Sequence, residues 1–129
     1  MVDTTKLMYL DTFITEATTD VIVESFLTKK KIGRIATKNK AIIEPGQVMS
    51  IDGTTHIERY KIKLQTDSHA NMMAVKSDII DGCEAYLHRD VGFTYPEIMH
   101  HVYFAYTNKG YVKNGIWKHD IFIDVEWGK

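Results

Sequence analysis

Six histidines and a single cysteine are the side chains here with the most obvious ligand chemistry, and Cys83, His88, His100 and His101 lie closest together in sequence. Structural zinc sites usually take two close ligand pairs. Consecutive residues on a strand point to opposite faces, so His100 and His101 cannot both serve one site. The spacing predicts no metal centre, and no other pattern asks for a cofactor. Cys83 paired with His88 or His119 would make a nucleophile, but a lone cysteine closing an apolar helical face reads as a small core residue. Asp120, Asp124 and Glu126 fall at even spacing on one strand face, which suits solvation or contacts with cations as well as acid and base work. A hydrolase built on His100 or His101 with an acid would need a concave site of perturbed titration, and no sequence pattern points to one. Gly33 and Gly46 are isolated, and neither a Walker nor a dinucleotide fingerprint occurs. No catalytic residue emerges, and the expectation is a protein that is not an enzyme.

Two other groups of residues are better candidates for function. The first is a basic segment, Lys29, Lys30, Lys31, Arg34, Lys38 and Lys40, with no acid among them. Such a run reads either as a solvated basic hairpin or as a surface that meets phosphates or an acidic neighbour. The second is aromatic. Tyr95, Tyr103, Phe104, Tyr106, Tyr111, Trp117, Phe122 and Trp127 crowd the C-terminal part of the chain. A sheet buries only one face on its own helices, and Tyr103 and Phe122 fall out of phase with the apparent core positions. Either another chain covers this surplus, with Tyr103, Phe122 and Trp117 as the subunit contacts, or loops fold over the strand edges.

The elements that position these residues follow from periodicity. Leu7, Leu10, Ile14, Ala17 and Val21, joined by Phe13, Phe26 and Leu27, recur at three- and four-residue spacing and predict an N-terminal helix capped by Thr4 or Thr5. The β-branched Thr18 and Thr19 weaken it, so the helix either runs on through them or breaks there and resumes over residues 21–27. Short β-prone runs follow at 32–37, 41–44 and 47–51. The pair Asp52-Gly53 predicts a type I′ hairpin turn. In the next strand Tyr60, Ile62 and Leu64 alternate with Lys61, Lys63 and Gln65, one face inward and one wet. Asp67 or Ser68 caps a second helix whose apolar face has two ridges, Met72, Val75 and Ile79 beside Met73, Lys76 and Ile80. It either stops at Gly82 or runs on through Cys83 and Tyr86. After a loop to Pro96, Ile98, His100, Val102, Phe104 and Tyr106 alternate against Met99, His101, Tyr103 and Ala105. A last strand sets Ile121, Ile123, Val125 and Trp127 against Asp120, Phe122, Asp124 and Glu126.

Helices and strands are segregated, which predicts an α+β fold with a mainly antiparallel sheet and helices packed on one face. The chain has 129 residues, 44% of them hydrophobic and 26% charged, which fits one domain over residues 1–129 and excludes an intrinsically disordered chain. Sixteen basic against seventeen acidic residues leave a net charge of −1, so no global field recruits nucleic acid or an anionic membrane. No apolar run approaches the ~18 residues of a membrane span, and residues 1–10 have no leader pattern. With one cysteine and six methionines the composition fits a reducing compartment.

A leading helix, short strands, the strand Arg59-Tyr60-Lys61-Ile62-Lys63-Leu64-Gln65 entering a helix over 67–82, and a closing strand over 118–127 together resemble the tail-terminator and tail-completion proteins of long-tailed phages. The resemblance implies a small, non-enzymatic α+β protein assembled as a homo-oligomeric ring at the neck, in contact with tail-tube or neck proteins. It implies a virion component assembled in the host cytoplasm, with residues 29–40 facing DNA or an acidic neighbour. The rival expectation is a small phage or bacterial protein of anti-defence type, holding a nucleotide-like ligand between aromatic side chains and Arg34 or Arg89.

Overall fold

The computed structural model describes residues 4–19, 21–25, 39–53, 55–87 and 99–128. Two helices lie against a sheet that has seven strands among these residues, so the fold is α+β. In chain order the elements are α1 (Thr4–Ala17), β1 (Ile22–Ser25), β2 (Lys40–Ile43), β3 (Gln47–Asp52), β4 (Thr55–Thr66), α2 (His69–Leu87), β5 (Met99–Thr107), β6 (Tyr111–Lys113) and β7 (Ile116–Trp127). The long strands β4 and β7 pair antiparallel along nearly their whole lengths and form the middle of the sheet. β2 and β3 share the outer flank of β4, and β5 and β6 share the outer flank of β7. β1 adds to β2 in the one parallel pairing among the described strands.

The core lies between the helices and one sheet face. Leu7, Leu10, Phe13 and Ile14 of α1 and Met72, Val75, Ile79, Cys83 and Tyr86 of α2 meet Tyr60, Ile62, Leu64, Ile121, Ile123, Val125 and Trp127. Only one of the two ridges expected on α2 is buried. Met73 is exposed, and Lys76 and Ile80 are half-buried, because a single helix laid on a sheet covers a stripe about one ridge wide. The Ser68 hydroxyl caps α2 by accepting from the Asn71 amide at 3.1 Å. The helix does not stop at Gly82. It crosses α1 there, and a methyl group at Gly82 would come within 2.7 Å of the Ala17 methyl, so the glycine serves close helix packing.

Three expectations need correction. Residues 21–25 do not resume the first helix: α1 ends at Ala17, the Thr18 hydroxyl and amide both donate to the Ile14 carbonyl, and the β-branched run that follows enters the sheet as β1, while residues 26 and 27 lie outside the described residues. The hairpin expected at Asp52-Gly53 joins β3 to β4, but its turn starts one residue late: Asp52 ends β3 opposite Thr55, and the loop begins at Gly53 (φ 61°). The pair with both residues left-handed is Asn114-Gly115 (φ 53° and 76°), between β6 and β7, as a type I′ turn demands. Finally, β5 does not alternate evenly. Its register slips at His100 and again at Ala105, so Met99, Val102 and Phe104 oppose core-side residues of β7 while His101, Tyr103 and Tyr106 fall on the other side. The strand expected at 32–37 and the loop from His88 to Pro96 lie outside the described residues.

Candidate functional site

The sheet face turned away from the helices holds several of the sequence's candidate residues, among them Asp120, Asp124, Tyr103 and Phe122. Each cation that β4 projects onto this face within 59–63 meets an acid. Arg59 Nε and Nη2 donate to the two carboxylate oxygens of Asp124 at 2.7 and 2.9 Å, a bidentate geometry that raises the arginine's pKa further. Lys61 lies 3.5 Å from Asp120, and Lys63 lies 2.7 Å from Glu44, which likewise raises the lysine's pKa. Asp120 and Asp124 thus serve as cation contacts. These three pairs are balanced in charge and by themselves offer no excess positive charge to a polyanion.

Aromatic rings fill the rest of this face. Tyr106 and Phe122 stack with centroids 4.4 Å apart and planes 14° apart, and the Arg59 guanidinium lies 5.2 Å from the Tyr106 centroid. His101 and Tyr103 lie 5.7 Å apart, and partial burial followed by the nearby Glu126 charge pushes the Tyr103 hydroxyl's pKa up. Tyr103, Tyr106, Tyr111, Val112 and Ile116 are exposed along the β5 and β6 flank. Alternating salt links and open rings make a surface suited to a protein partner. Trp117 sits apart from Tyr103 and Phe122. It is half-buried against the core on the helix-covered side, with its ring 5.0 Å from that of His69 at the start of α2.

Of the basic segment only Lys40 falls among the described residues, and its ammonium lies 3.2 Å from the buried Glu24 carboxylate. Lys29, Lys30, Lys31, Arg34 and Lys38 lie outside them, as do Arg34's companion Arg89 and His88. Cys83 is a core residue, where burial pushes the thiol up to about 12 and leaves it protonated at neutral pH. Among the described residues no group of three or more histidines, cysteines and carboxylates could hold a metal ion. No helix among them is long and apolar enough to cross a membrane.

Sequence reasoning missed a second cluster, which lies on the core side beneath the first turns of α1. Glu58 is 9% exposed, and its Oε2 accepts from Lys6 Nζ and lies 2.5 Å from His56 Nε2. Its Oε1 accepts from the Tyr60 hydroxyl at 3.2 Å, and that hydroxyl in turn accepts from Trp127 Nε1 at 3.0 Å. Lys6 also lies 5.5 Å from the Trp127 centroid. Burial alone would raise the Glu58 pKa, but the bonds from Lys6 and His56 outweigh it and hold the carboxyl below its usual range. The signal was available: alternation read backward from Tyr60 puts Glu58 and His56 on the core face.

No family model and no curated protein matches this sequence. Among solved structures, the chain is similar to one from the virion of a native gene transfer agent particle. The TM-score is 0.57 and the identity 13%, over 93% of this chain and 84% of that one, so the likeness is one of fold across nearly the whole of both chains.

Proposed function

We propose that this protein is a structural component of a tailed-virus particle, a ring-forming tail terminator or neck-completion protein that acts by contact and catalyses no reaction. The observation that carries the reading is the fold shared over 93% of the chain with a component of a gene transfer agent virion. The order of helices and strands favours the tail-terminator class within that setting. The aromatic flank of β5 and β6 is the surface for neighbouring subunits or tail-tube and neck proteins, and the segment at 29–40 faces DNA or an acidic neighbour. Assembly takes place in the host cytoplasm, and the finished protein resides in the virion.

Light scattering over a wide concentration range, with and without purified tail tubes, tests this reading. A closed oligomer that negative-stain images show as a ring at the tube end is expected. A strict monomer in both conditions overturns the proposal.

A further inference from the structure

We propose that the chain takes a second copy of itself head to tail: the helix-side surface of β3, with Val48 and Ile51, docks on the open-face flank of β5 and β6 of the next copy. The contact presupposes the ring-forming role proposed for the protein and names the two surfaces that build the ring. β3 pairs with β4 alone among the described strands, so among these it is an edge strand. Val48 and Ile51 stand opposite Glu58 and His56 and so share the helix-covered face, yet they are 53% and 75% exposed, because neither helix reaches β3. An edge strand that bares such side chains is an aggregation hazard in a chain that works alone, and a neighbour that covers it removes the hazard.

The counterpart lies at the far corner of the sheet. Tyr103 and Tyr106 stand opposite Asp124 and Phe122, and Tyr111 and Lys113 stand opposite Lys118 and Ile116, so all four project from the open face. β3 borders residues 55–59 of β4, whereas β6 borders the end of β7 that meets Gln65 and Thr66. The two surfaces therefore sit on opposite flanks, opposite faces and opposite ends of the central strand pair. One neighbour cannot cover both, so each copy takes one neighbour on either side, the heterologous contact from which rings are closed. Charge points to the same partner. Residues 108–119 hold Lys109, Lys113 and Lys118 and no acid, and these lysines make no ion pair among the described residues, unlike Arg59, Lys61 and Lys63. Asp52 is the one charged residue of 47–55. A polyanion would suit the lysines but not β3, whereas a second copy brings them both an acid and apolar side chains.

Ile51→Lys spoils the first surface and Tyr111→Lys the second. Both side chains are more than half exposed, so each variant should keep the parent's melting midpoint. In sedimentation velocity on the full chain, each variant alone should need at least about tenfold more protein than the parent to associate. An equimolar mixture of the two should form a dimer and nothing larger, since it keeps one intact pair of surfaces while the two lysine-bearing surfaces repel. Where the parent assembles only on tail tubes, rings at tube ends in negative stain are counted instead, and both variants should lose them. A parent that assembles while either variant matches it overturns the contact and leaves the ring-forming role standing. So does a mixture that stays monomeric at concentrations where the parent assembles. A parent that is monomeric both alone and on tail tubes overturns the ring-forming role and the contact with it.

Discussion

Ile62 is fully buried on β4, whereas Lys61 beside it reaches across the open face to Asp120. Ile62→Ala removes buried methylenes and leaves a cavity, so chemical denaturation should show a loss of ~2 to 5 kcal/mol. Lys61→Ala breaks only a partly exposed ion pair and should change stability by ~0 to 1 kcal/mol in the same measurement. This contrast was legible in the sequence because the alternation over 60–65 is unbroken. Glu58 was harder to place because the strand's apolar alternation starts at Tyr60. A carboxylate on the core side makes sense only once Lys6 is opposite it, and Lys6 comes from an element more than fifty residues away. In sequence Lys6 does share a helical stripe with Leu10 and Phe13, so its inward direction could have been read, though not its partner.

Among the elements, the two helices and the long strands follow from period alone, and the departures have local causes. β5 carries two register slips, and nothing in its composition marks them. An extra residue in an edge strand costs little when a single neighbour has to accommodate it. The slip at Ala105 carries Tyr106 across to stack on Phe122, which even alternation would forbid. Gly82 was ambiguous for a different reason, since a glycine late in a helix serves equally as a stop or as a packing notch. Gly82→Ala decides between the two in practice. An interior alanine normally favours a helix by about 1 kcal/mol over glycine, but the added methyl would press on Ala17 and Phe13. The variant should therefore melt below the parent, by an amount corresponding to ~1 to 3 kcal/mol. A raised melting temperature would mean that the helices separate at no cost.

At the scale of the molecule, the open face is legible only as a surplus: the sequence shows more aromatics than one core needs, and the structure sets several of them in the open among paired charges. If this surface joins subunits, replacing exposed rings should act on assembly and not on folding. Tyr103→Ser combined with Tyr106→Ser should leave the denaturation midpoint nearly unchanged, within ~1 kcal/mol, while light scattering shows the oligomer dissociating at concentrations where the parent stays assembled. The central pairing of β4 with β7 bears on how the chain finds this shape. The two strands are not neighbours in sequence; Thr66 pairs with Trp117, so α2, β5 and β6 lie in a loop of roughly fifty residues that must close before the middle of the sheet exists. The β3–β4 hairpin and the two helices can form early from local contacts, but the core face of the sheet is incomplete until β7 arrives between β4 and β5. Folding is therefore limited by a late, long-range closure and falls toward the slower end for a domain of this size. A newly made chain leaves the flank of β4 that β7 covers open until β7 has been synthesised, an interval in which a partner or chaperone has access to a strand edge that the finished molecule hides.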